Sequence, residues 1–403
     1  MGQSTFPVPS SGSSTSTILP VNASSVILDG SLTSASTYTT TVNGNGGIAY
    51  LVASDNPAKF TIGGNSYTVA ANSVSATTTV VGSSASVTVA NGSFVTTAPA
   101  TFTASTMSSA SAWDGVAYGN GYYVAVAYNT TAGAYSTNGT SWTASTMPSA
   151  SGWRAVTYGN GYFVAVAQAT SAGAYSTNGT TWTASTMPSS SNWFGVTYGQ
   201  GYYVASAAST SAGAYSTNGT TWTASTMPSS QTWYGITYGN GYFVAVSSSG
   251  TVGAYSTNGS TWTASSLPTS QSWFNASYGL IGTTPTFVAV AVGGTTAGAY
   301  STNGTTWTSS TMPSASDWRG VTYGNGYFVA VQASGTTAGA YSTNGTTWTA
   351  STLPSSSTWW AVTYGNGYFV AVQNAATTAG AYFAQSALLP VNFGIYSGPK
   401  TIN

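Results

Sequence analysis

The residues able to do acid–base chemistry are few in this sequence. It has four Asp (Asp29, Asp55, Asp114 and Asp317), and it contains no Glu, His or Cys. A glycosidase needs two carboxyl groups about 5 to 9.5 Å apart, and Asp114 and Asp317 stand in different sequence repeats. A serine hydrolase of the triad type needs a His, and metal sites need His, Cys or clustered carboxylates. We therefore expect no catalytic residue, metal or cofactor, and we predict that the chain is not an enzyme.

Charged side chains make up 2% of the 403 residues, and the net charge is zero. A nucleic acid must be neutralised by several Lys or Arg contacts, so we expect no nucleic-acid partner. Anionic membrane surfaces are disfavoured for the same reason, and no apolar run approaches the roughly 18 residues of a membrane span. Near-zero charge favours self-association, so we expect a homo-oligomer.

A repeated unit organises the sequence from about residue 99 onward. Each unit begins with a Trp followed five residues later by Tyr-Gly, and the units are 40 to 45 residues long, a length typical of propeller blades. Residues 153–187 contain four short strand patterns, WRAVTY, YFVAVA, AGAYS and TTWTAST. Asn160-Gly161 and Asn178-Gly179 predict two-residue turns in the first and third hairpins. The leading residues are Trp113, Trp153, Trp193, Trp233, Trp273, Trp318 and Trp359.

A second repeated motif, Ser-Thr-Asn-Gly-x-x-Trp, marks the turn into the fourth strand in the first six units. The last unit stops at Tyr382 without that strand, whereas TFTASTM at residues 101–107 precedes the first unit and places Phe102 at the Trp position. We predict that residues 101–107 supply the missing strand and remove two exposed sheet edges, which is Velcro closure of a ring. The motif residues are Asn138, Trp142, Asn178, Trp182, Asn218, Trp222, Asn258, Trp262, Asn303, Trp307, Asn344 and Trp348.

The stretch from Ser176 to Trp182 resembles the Asp-box of sialidase-like propellers, with Asn at the usual Asp position and one residue fewer before Gly. The resemblance covers residues 101–382 and implies a seven-bladed, all-β propeller in which the motif is structural. If the resemblance extended to sialidase activity, it would imply a cluster of three Arg, a Tyr nucleophile supported by Glu, and an acidic residue as acid catalyst. Here Arg154 and Arg319 are the two Arg and Glu is absent, so a glycosidase is the least favoured function. The shorter motif is also similar to propeller repeats of bacterial and phage proteins.

One position varies from unit to unit while its neighbours hardly change. It directly follows the leading Trp, so all seven side chains should point into the same ring. Aromatic faces beside hydroxyl and amide groups suit carbohydrates, and we interpret the position as a candidate binding face. The alternative is that the residue type varies without function because the position lies in a solvated loop. The residues are Asp114, Arg154, Phe194, Tyr234, Phe274, Arg319 and Trp360. The residues before the Trp vary similarly: Ala112, Gly152, Asn192, Thr232, Ser272, Asp317 and Thr358.

Four segments are expected: an extended arm (residues 1–16), a small β-sandwich attachment domain (17–98), the propeller (99–384) and a C-terminal tail (385–403). The N-terminus has neither the basic region nor the apolar core of a secretory signal. This favours a phage virion protein, a head fibre, decoration protein or tail fibre, that docks to other virion proteins through its arm and displays the propeller toward a host-surface glycan. The alternative is a bacterial adhesin or lectin at the cell surface.

Overall fold

The computed structural model describes residues 25–32, 37–42, 49–53, 58–62, 65–69, 73–76, 85–91, 100–384 and 391–397. The chain divides into two compact units, Met1–Thr96 with Ser386–Asn403, and Thr97–Gln385. The arm expected at residues 1–16 lies outside the described residues. Every regular element in the described ranges is a strand, and they contain no helix that could cross a membrane.

The first unit contains two four-stranded antiparallel sheets. Their strands are β1 (Ser25–Leu32), β2 (Thr37–Val42), β3 (Ala49–Ala53), β4 (Ala58–Ile62), β5 (Asn65–Val69), β6 (Ser73–Ala76) and β7 (Ala85–Asn91), together with Val391–Ser397. One sheet has the order β2-β7-β4-β5, and in the other the strand Val391–Ser397 lies between β1 and β3, with β6 at the edge. The segment interpreted as a separate tail therefore contributes a strand here, which fits the alternation of Val391, Phe393 and Ile395 in the sequence.

The second unit consists of consecutive antiparallel strands. They are β8 (Thr103–Ser111), β9 (Trp113–Gly119), β10 (Tyr122–Ala127), β11 (Thr130–Ser136), β12 (Thr143–Gly159), β13 (Tyr162–Gln168), β14 (Thr170–Ser176), β15 (Thr183–Gly199), β16 (Tyr202–Ala208), β17 (Thr210–Ser216), β18 (Thr223–Gln231), β19 (Trp233–Gly239), β20 (Tyr242–Ser247), β21 (Val252–Ser256), β22 (Thr263–Ser266), β23 (Ser272–Ile281), β24 (Thr284–Val292), β25 (Thr295–Ser301), β26 (Thr308–Ser316), β27 (Trp318–Gly324), β28 (Tyr327–Gln332), β29 (Thr336–Ser342), β30 (Thr349–Ser357), β31 (Trp359–Gly365), β32 (Tyr368–Gln373) and β33 (Thr377–Ala384). The C-terminal strand is β34 (Val391–Ser397).

These strands pair as four-stranded meanders. Four meanders, starting at β19, β23, β27 and β31, are separate sheets, and the last of them has the order β31-β32-β33-β8. The earlier strands form one continuous sheet because β12 and β15 each serve as the fourth strand of one meander and the first strand of the next. Each repeat of the sequence therefore folds as one antiparallel meander, as the four strand patterns predict.

The strand that precedes the first repeat pairs with the last one. In β8, Ala104 pairs with Ala381 and Thr103 with Tyr382. Inside the array, Ala184 pairs with Ala174 and Thr183 with Tyr175, which is the same register. Phe102, directly before β8, is 3% exposed and therefore buried like the Trp that it replaces. The TFTASTM segment thus occupies the fourth-strand position of the last meander.

Buried second strands and the leading Trp residues build the core. In β13 the residues from Phe163 to Ala167 are fully buried, as expected for a strand covered on both faces. All seven leading Trp are fully buried, and Trp153 Nε1 donates a hydrogen bond to the Ser149 carbonyl at 3.0 Å. Burying a Trp contributes up to about 4 to 6 kcal/mol, so one such residue per repeat stabilises each meander.

The two predicted turns differ from each other. Asn160 and Gly161 have φ of 44° and 83°, which fits the expected two-residue turn. The Asn178-Gly179 prediction is wrong in its length, because the loop between β14 and β15 spans residues 177–182. Gly179 has a φ of 71°, whereas Asn178 is not among the residues with positive φ. The longer loop is held by hydrogen bonds to the Asn178 side chain. It is not a two-residue backbone turn.

Candidate functional site

The seven varied residues come together, each at a β-bulge. In every repeat the pairing of the first and second strands slips directly after the leading Trp, so that Trp153 and Ala155 face consecutive residues of β13 and Arg154 lies between them. Bulges re-aim a side chain and are common beside functional sites. We call the seven residues the axial cluster: Asp114, Arg154, Phe194, Tyr234, Phe274, Arg319 and Trp360. Together they line two adjoining cavities of about 150 and 300 Å³.

Aromatic rings form a continuous row in this cluster. The Phe194 and Tyr234 ring centroids are 4.6 Å apart, and those of Tyr234 and Phe274 are 4.7 Å apart. Trp360 continues the row, because its ring lies 5.8 Å from that of Phe274 in an edge-to-face arrangement. All four rings line the larger cavity, and aromatic side chains are groups that a sugar ring can pack against.

Arg154 is fixed on several sides. Its guanidinium lies 3.9 Å from the Tyr128 ring centroid and 4.7 Å from that of Phe194. Its Nε donates a hydrogen bond to Gln168 Oε1 at 2.6 Å, and its Nη1 forms an ion pair with the Asp114 carboxylate. The positive charge of Arg154 is therefore already neutralised inside the protein.

Asp114 is the buried carboxyl group of the cluster. The residue is 3% exposed, and its carboxylate accepts hydrogen bonds from Arg154 and from Asn374 Nδ2. Burial raises the pKa of Asp114 to about 6, because desolvation outweighs the attraction of Arg154 and the hydrogen bonds that favour the charged form. This carboxyl group can therefore change its charge at mildly acidic pH.

Arg319 is held differently from Arg154. Its guanidinium carbon lies over the Trp360 ring, 4.0 Å from the centroid, and over the Phe274 ring, 4.6 Å from the centroid. Burial lowers the pKa of Arg319, opposed by the nearby Asp317 carboxylate, yet an arginine remains charged. Among the described side chains its buried Nε has no hydrogen-bond partner and Arg319 has no ion pair. Arg319 is therefore a stacked, unneutralised cation on the larger cavity.

The residues before the leading Trp do not form a comparable group. Asn192 lines the larger cavity. The Asp317 carboxylate instead accepts hydrogen bonds from the backbone N–H groups of Gly293, at 2.6 Å, and Gly294, at 3.0 Å. Asp317 thus holds a loop between β24 and β25, although its sequence position beside Arg319 placed it among the candidate charges.

Sequence reasoning missed the partners of Asp114 and Arg154. Tyr128, Gln168 and Asn374 all occupy the same position at the end of the second strand, and Gln168 pairs across the ladder with Gly152. This position also varies between repeats, which is the signal that could have identified them. Its residues are Tyr128, Gln168, Ala208, Ser248, Val292, Ala333 and Asn374.

The Ser and Asn side chains of the Ser-Thr-Asn-Gly motif bind backbone groups of their own loop. Asn178 Oδ1 accepts hydrogen bonds from the backbone N–H groups of Thr180 at 2.9 Å and Thr181 at 3.0 Å, and Ser176 Oγ accepts one from Gly179. The same bonds recur at the other motif Asn residues: Asn138, Asn218, Asn258, Asn303 and Asn344. The motif Trp residues are buried or half-buried, namely Trp142, Trp182, Trp222, Trp262, Trp307 and Trp348. These contacts hold the loop between the third and fourth strands.

Comparisons with known proteins show the fold type. No protein-family model matches the chain, and no curated protein matches it. A solved streptogramin B lyase is 13% identical, covering 70% of this chain and 98% of its own, with a TM-score of 0.62. Virginiamycin B lyase from Staphylococcus aureus is 12% identical, covering 70% and 99%, with a TM-score of 0.62. YCF48 bound to D1 peptide is 14% identical, covering 72% and 98%, with a TM-score of 0.57. The chain has an all-β fold of the β-propeller type.

The prediction that the chain is not an enzyme needs correction. The two lyases are enzymes, so this fold hosts catalysis and the prediction does not stand. At 12–13% identity the likeness shows the fold, and no activity is transferred from it.

Proposed function

We propose that the axial cluster is a carbohydrate-binding site and that the propeller displays it toward a surface. The observation that carries the proposal is the convergence of all seven varied side chains on two adjoining cavities, beside a framework that repeats almost unchanged. A row of four aromatic rings offers a stacking face, and Asn192, Gln168 and Ser209 add polar groups around the larger cavity. Its volume, about 300 Å³, is at the lower end for ligand pockets and suits one sugar ring.

The finer architecture is part of this proposal. We infer a seven-bladed ring closed by β8, with Asp-box-like turns between the third and fourth strands. The register of β8 on β33 supports closure. So does a glycine series: Gly119 packs on the Tyr158 ring of the next repeat, and Gly365 of the last repeat packs on Tyr118 of the first. The two sheets of the first unit support a small β-sandwich domain.

The setting that fits best is a phage virion, as a head fibre, decoration protein or tail fibre. The first unit would attach to other virion proteins, copies of the chain would form a homo-oligomer, and the propeller would contact a host glycan. A composition with 2% charged residues, dominated by small polar side chains, supports this setting. Antibodies against the propeller should label purified virus particles; unlabelled particles would favour the alternative, a cell-surface adhesin or lectin that uses the same site.

A glycan microarray tests the binding proposal. The full chain should bind a defined subset of glycans, and Trp360→Ala and Tyr234→Ala should each remove that binding because they delete stacking rings. Trp142→Ala is the matched control, since Trp142 is a half-buried Trp of the repeated turn. Equal loss of binding in all three variants, or no glycan bound by the wild-type chain, would reject the proposal. Melting curves establish that each variant is folded.

A further inference from the structure

The axial cluster holds two arginines in opposite electrostatic situations. Arg154 forms an ion pair with Asp114 and a hydrogen bond with Gln168. Arg319 has neither kind of partner among the described residues, although its Nε is buried. The nearest acidic residue in sequence, Asp317, directs its carboxylate to the backbone of Gly293 and Gly294. One net positive charge therefore remains in the cluster, at Arg319.

A partly buried cation without a partner is costly, and such a charge is normally paired. The guanidinium is planar and offers a fork of N–H donors that matches a carboxylate with two parallel hydrogen bonds. The guanidinium carbon of Arg319 lies over both the Trp360 and the Phe274 ring. These rings are nearly perpendicular, with an interplanar angle of 87°, so the guanidinium plane can be parallel to only one of them. The buried Nε has no hydrogen-bond partner among the described side chains, and Arg319 lines the larger cavity, where a ligand can accept from it.

We propose that Arg319 binds the carboxylate of an acidic sugar of the uronic acid class, whose ring stacks on the aromatic row. This inference rests on the proposed carbohydrate-binding function and names its ligand class. A single negative charge fits the site, because Arg319 supplies one unneutralised positive charge. A dianionic phosphate monoester would carry a second charge near the carboxylates of Asp114 and Asp317, which already act on Arg319 electrostatically.

Two sugars that differ only in a carboxylate measure what that group contributes to the affinity. Isothermal titration calorimetry on the full chain would compare methyl β-glucuronide with methyl β-glucoside, which share a ring and differ by one carboxylate. A charge-assisted hydrogen-bond pair should make the glucuronide bind at least about tenfold more tightly. Glucose 6-sulfate, a third probe, carries one negative charge on a tetrahedral group and tests whether the planar carboxylate matters.

Three variants test the role of the Arg319 guanidinium. Arg319→Gln should abolish the advantage of the glucuronide and leave glucoside binding within about threefold, because stacking supplies the rest of the affinity. Lys59→Gln is the matched control, because it also removes one positive charge but lies in β4 of the first unit, outside the axial cluster. This control should keep the glucuronide advantage. Arg319→Lys retains the charge but not the fork and should keep part of the advantage.

The outcomes distinguish the two proposals. If both sugars bind equally to the wild-type chain, or if Arg319→Gln weakens both to the same extent, the carboxylate assignment is wrong and carbohydrate binding survives. Stronger binding of the sulfate than of the glucuronide would also overturn the assignment. If no sugar binds and the microarray is blank, the proposed function itself fails. Circular dichroism of each variant ensures that loss of binding is not loss of folding.

Discussion

Trp359 and Trp360 are adjacent in the chain, yet they belong to two different regions. Trp359 is a framework residue: it is fully buried, it recurs in every repeat, and its Nε1 donates to the Ser355 carbonyl at 3.0 Å. Trp360 belongs to the axial cluster: it is half-buried, it has no counterpart of the same type in the other repeats, and it stacks on Arg319. The bulge between Trp359 and Ala361 separates their roles.

The two regions differ in whether their side chains contact residues of the same repeat or of other repeats. The residues of the repeated turns find their hydrogen-bond partners within their own repeat, as Asn178 does in Thr180 and Thr181. Axial residues find partners in other repeats: Asp114 is bound by Arg154 and Asn374, and Phe274 contacts Tyr234 and Trp360. Nearly identical repeats can therefore build a stable scaffold, while a few varied positions in each repeat produce an asymmetric site.

Removing most of β8, the strand that completes the last meander, tests the framework most severely. Deletion of residues 99–107 should leave β33 with an open edge, promote aggregation and lower the melting temperature by about 10 °C or more, from a loss of roughly 4 kcal/mol. Light scattering during a thermal melt measures both effects. Phe102→Trp, which installs the residue of the other repeats, is the control and should melt like the wild type. Unchanged melting and solubility of the deletion variant would contradict ring closure.

The two adjacent tryptophans should respond in opposite ways. Trp359→Ala creates a cavity in the core and should reduce the free energy of unfolding by about 3 to 5 kcal/mol. Trp360→Ala removes one half-buried ring and should cost about 1 kcal/mol, while it abolishes glycan binding. Urea unfolding together with the microarray gives both quantities. Similar stability losses in the two variants would remove the distinction between framework and axial cluster.

The pH dependence of stability should come from the axial cluster. The pKa of Asp114 is raised from 3.8 to about 6 in the folded chain, so the folded state binds the proton more tightly than the unfolded state. Stability is therefore highest below about pH 4, falls as the pH rises toward 6, and is level above it, a change of at most about 3 kcal/mol. Urea unfolding between pH 4 and 7 measures this slope, and no His or Glu titrates in that window.

Asp114→Asn is the control for the pH profile. It keeps an amide of similar shape beside Arg154 but cannot titrate, so the slope between pH 4 and 6 should disappear. A slope of the same size in this variant would assign the pH dependence to a group outside the axial cluster.

The smallest effect is expected at the repeated turns. Asn178→Ala removes an acceptor for two backbone N–H groups on an exposed loop and should cost about 1 kcal/mol. Asn178→Ala combined with Asn303→Ala should cost about twice as much, because distant sites are additive, and glycan binding should not change. Urea unfolding of the single and double variants measures this; a change in binding would give the turns a role beyond the framework.

The sequence predicted the repeating framework well, because periodic residues report a repeated environment. The leading Trp residues, the meander pattern and the pairing of residues 101–107 with the last repeat follow from repetition alone. That the seven varied residues lie at the same place in each repeat could also be predicted, since equivalent residues of a repeat occupy equivalent sites.

Other features depend on contacts between repeats, which no pattern within a single repeat encodes. The ion pair of Asp114 with Arg154, the hydrogen bond from Asn374 and the loop contact of Asp317 are of this kind. The place of β34 between β1 and β3 joins segments more than 300 residues apart in the sequence. Such long-range pairing is specified by the whole fold and not by local propensity.

Indole N–H spectroscopy tests the central claim most directly, because the chain has 14 Trp and one of them belongs to the axial cluster. A 15N-correlated NMR spectrum would be recorded with and without the microarray glycan of strongest signal, with signals assigned by Trp→Phe variants. The claim predicts that the Trp360 signal shifts, while those of turn residues such as Trp182 and Trp222 stay in place. Shifts at the turn residues with an unchanged Trp360 signal would contradict it.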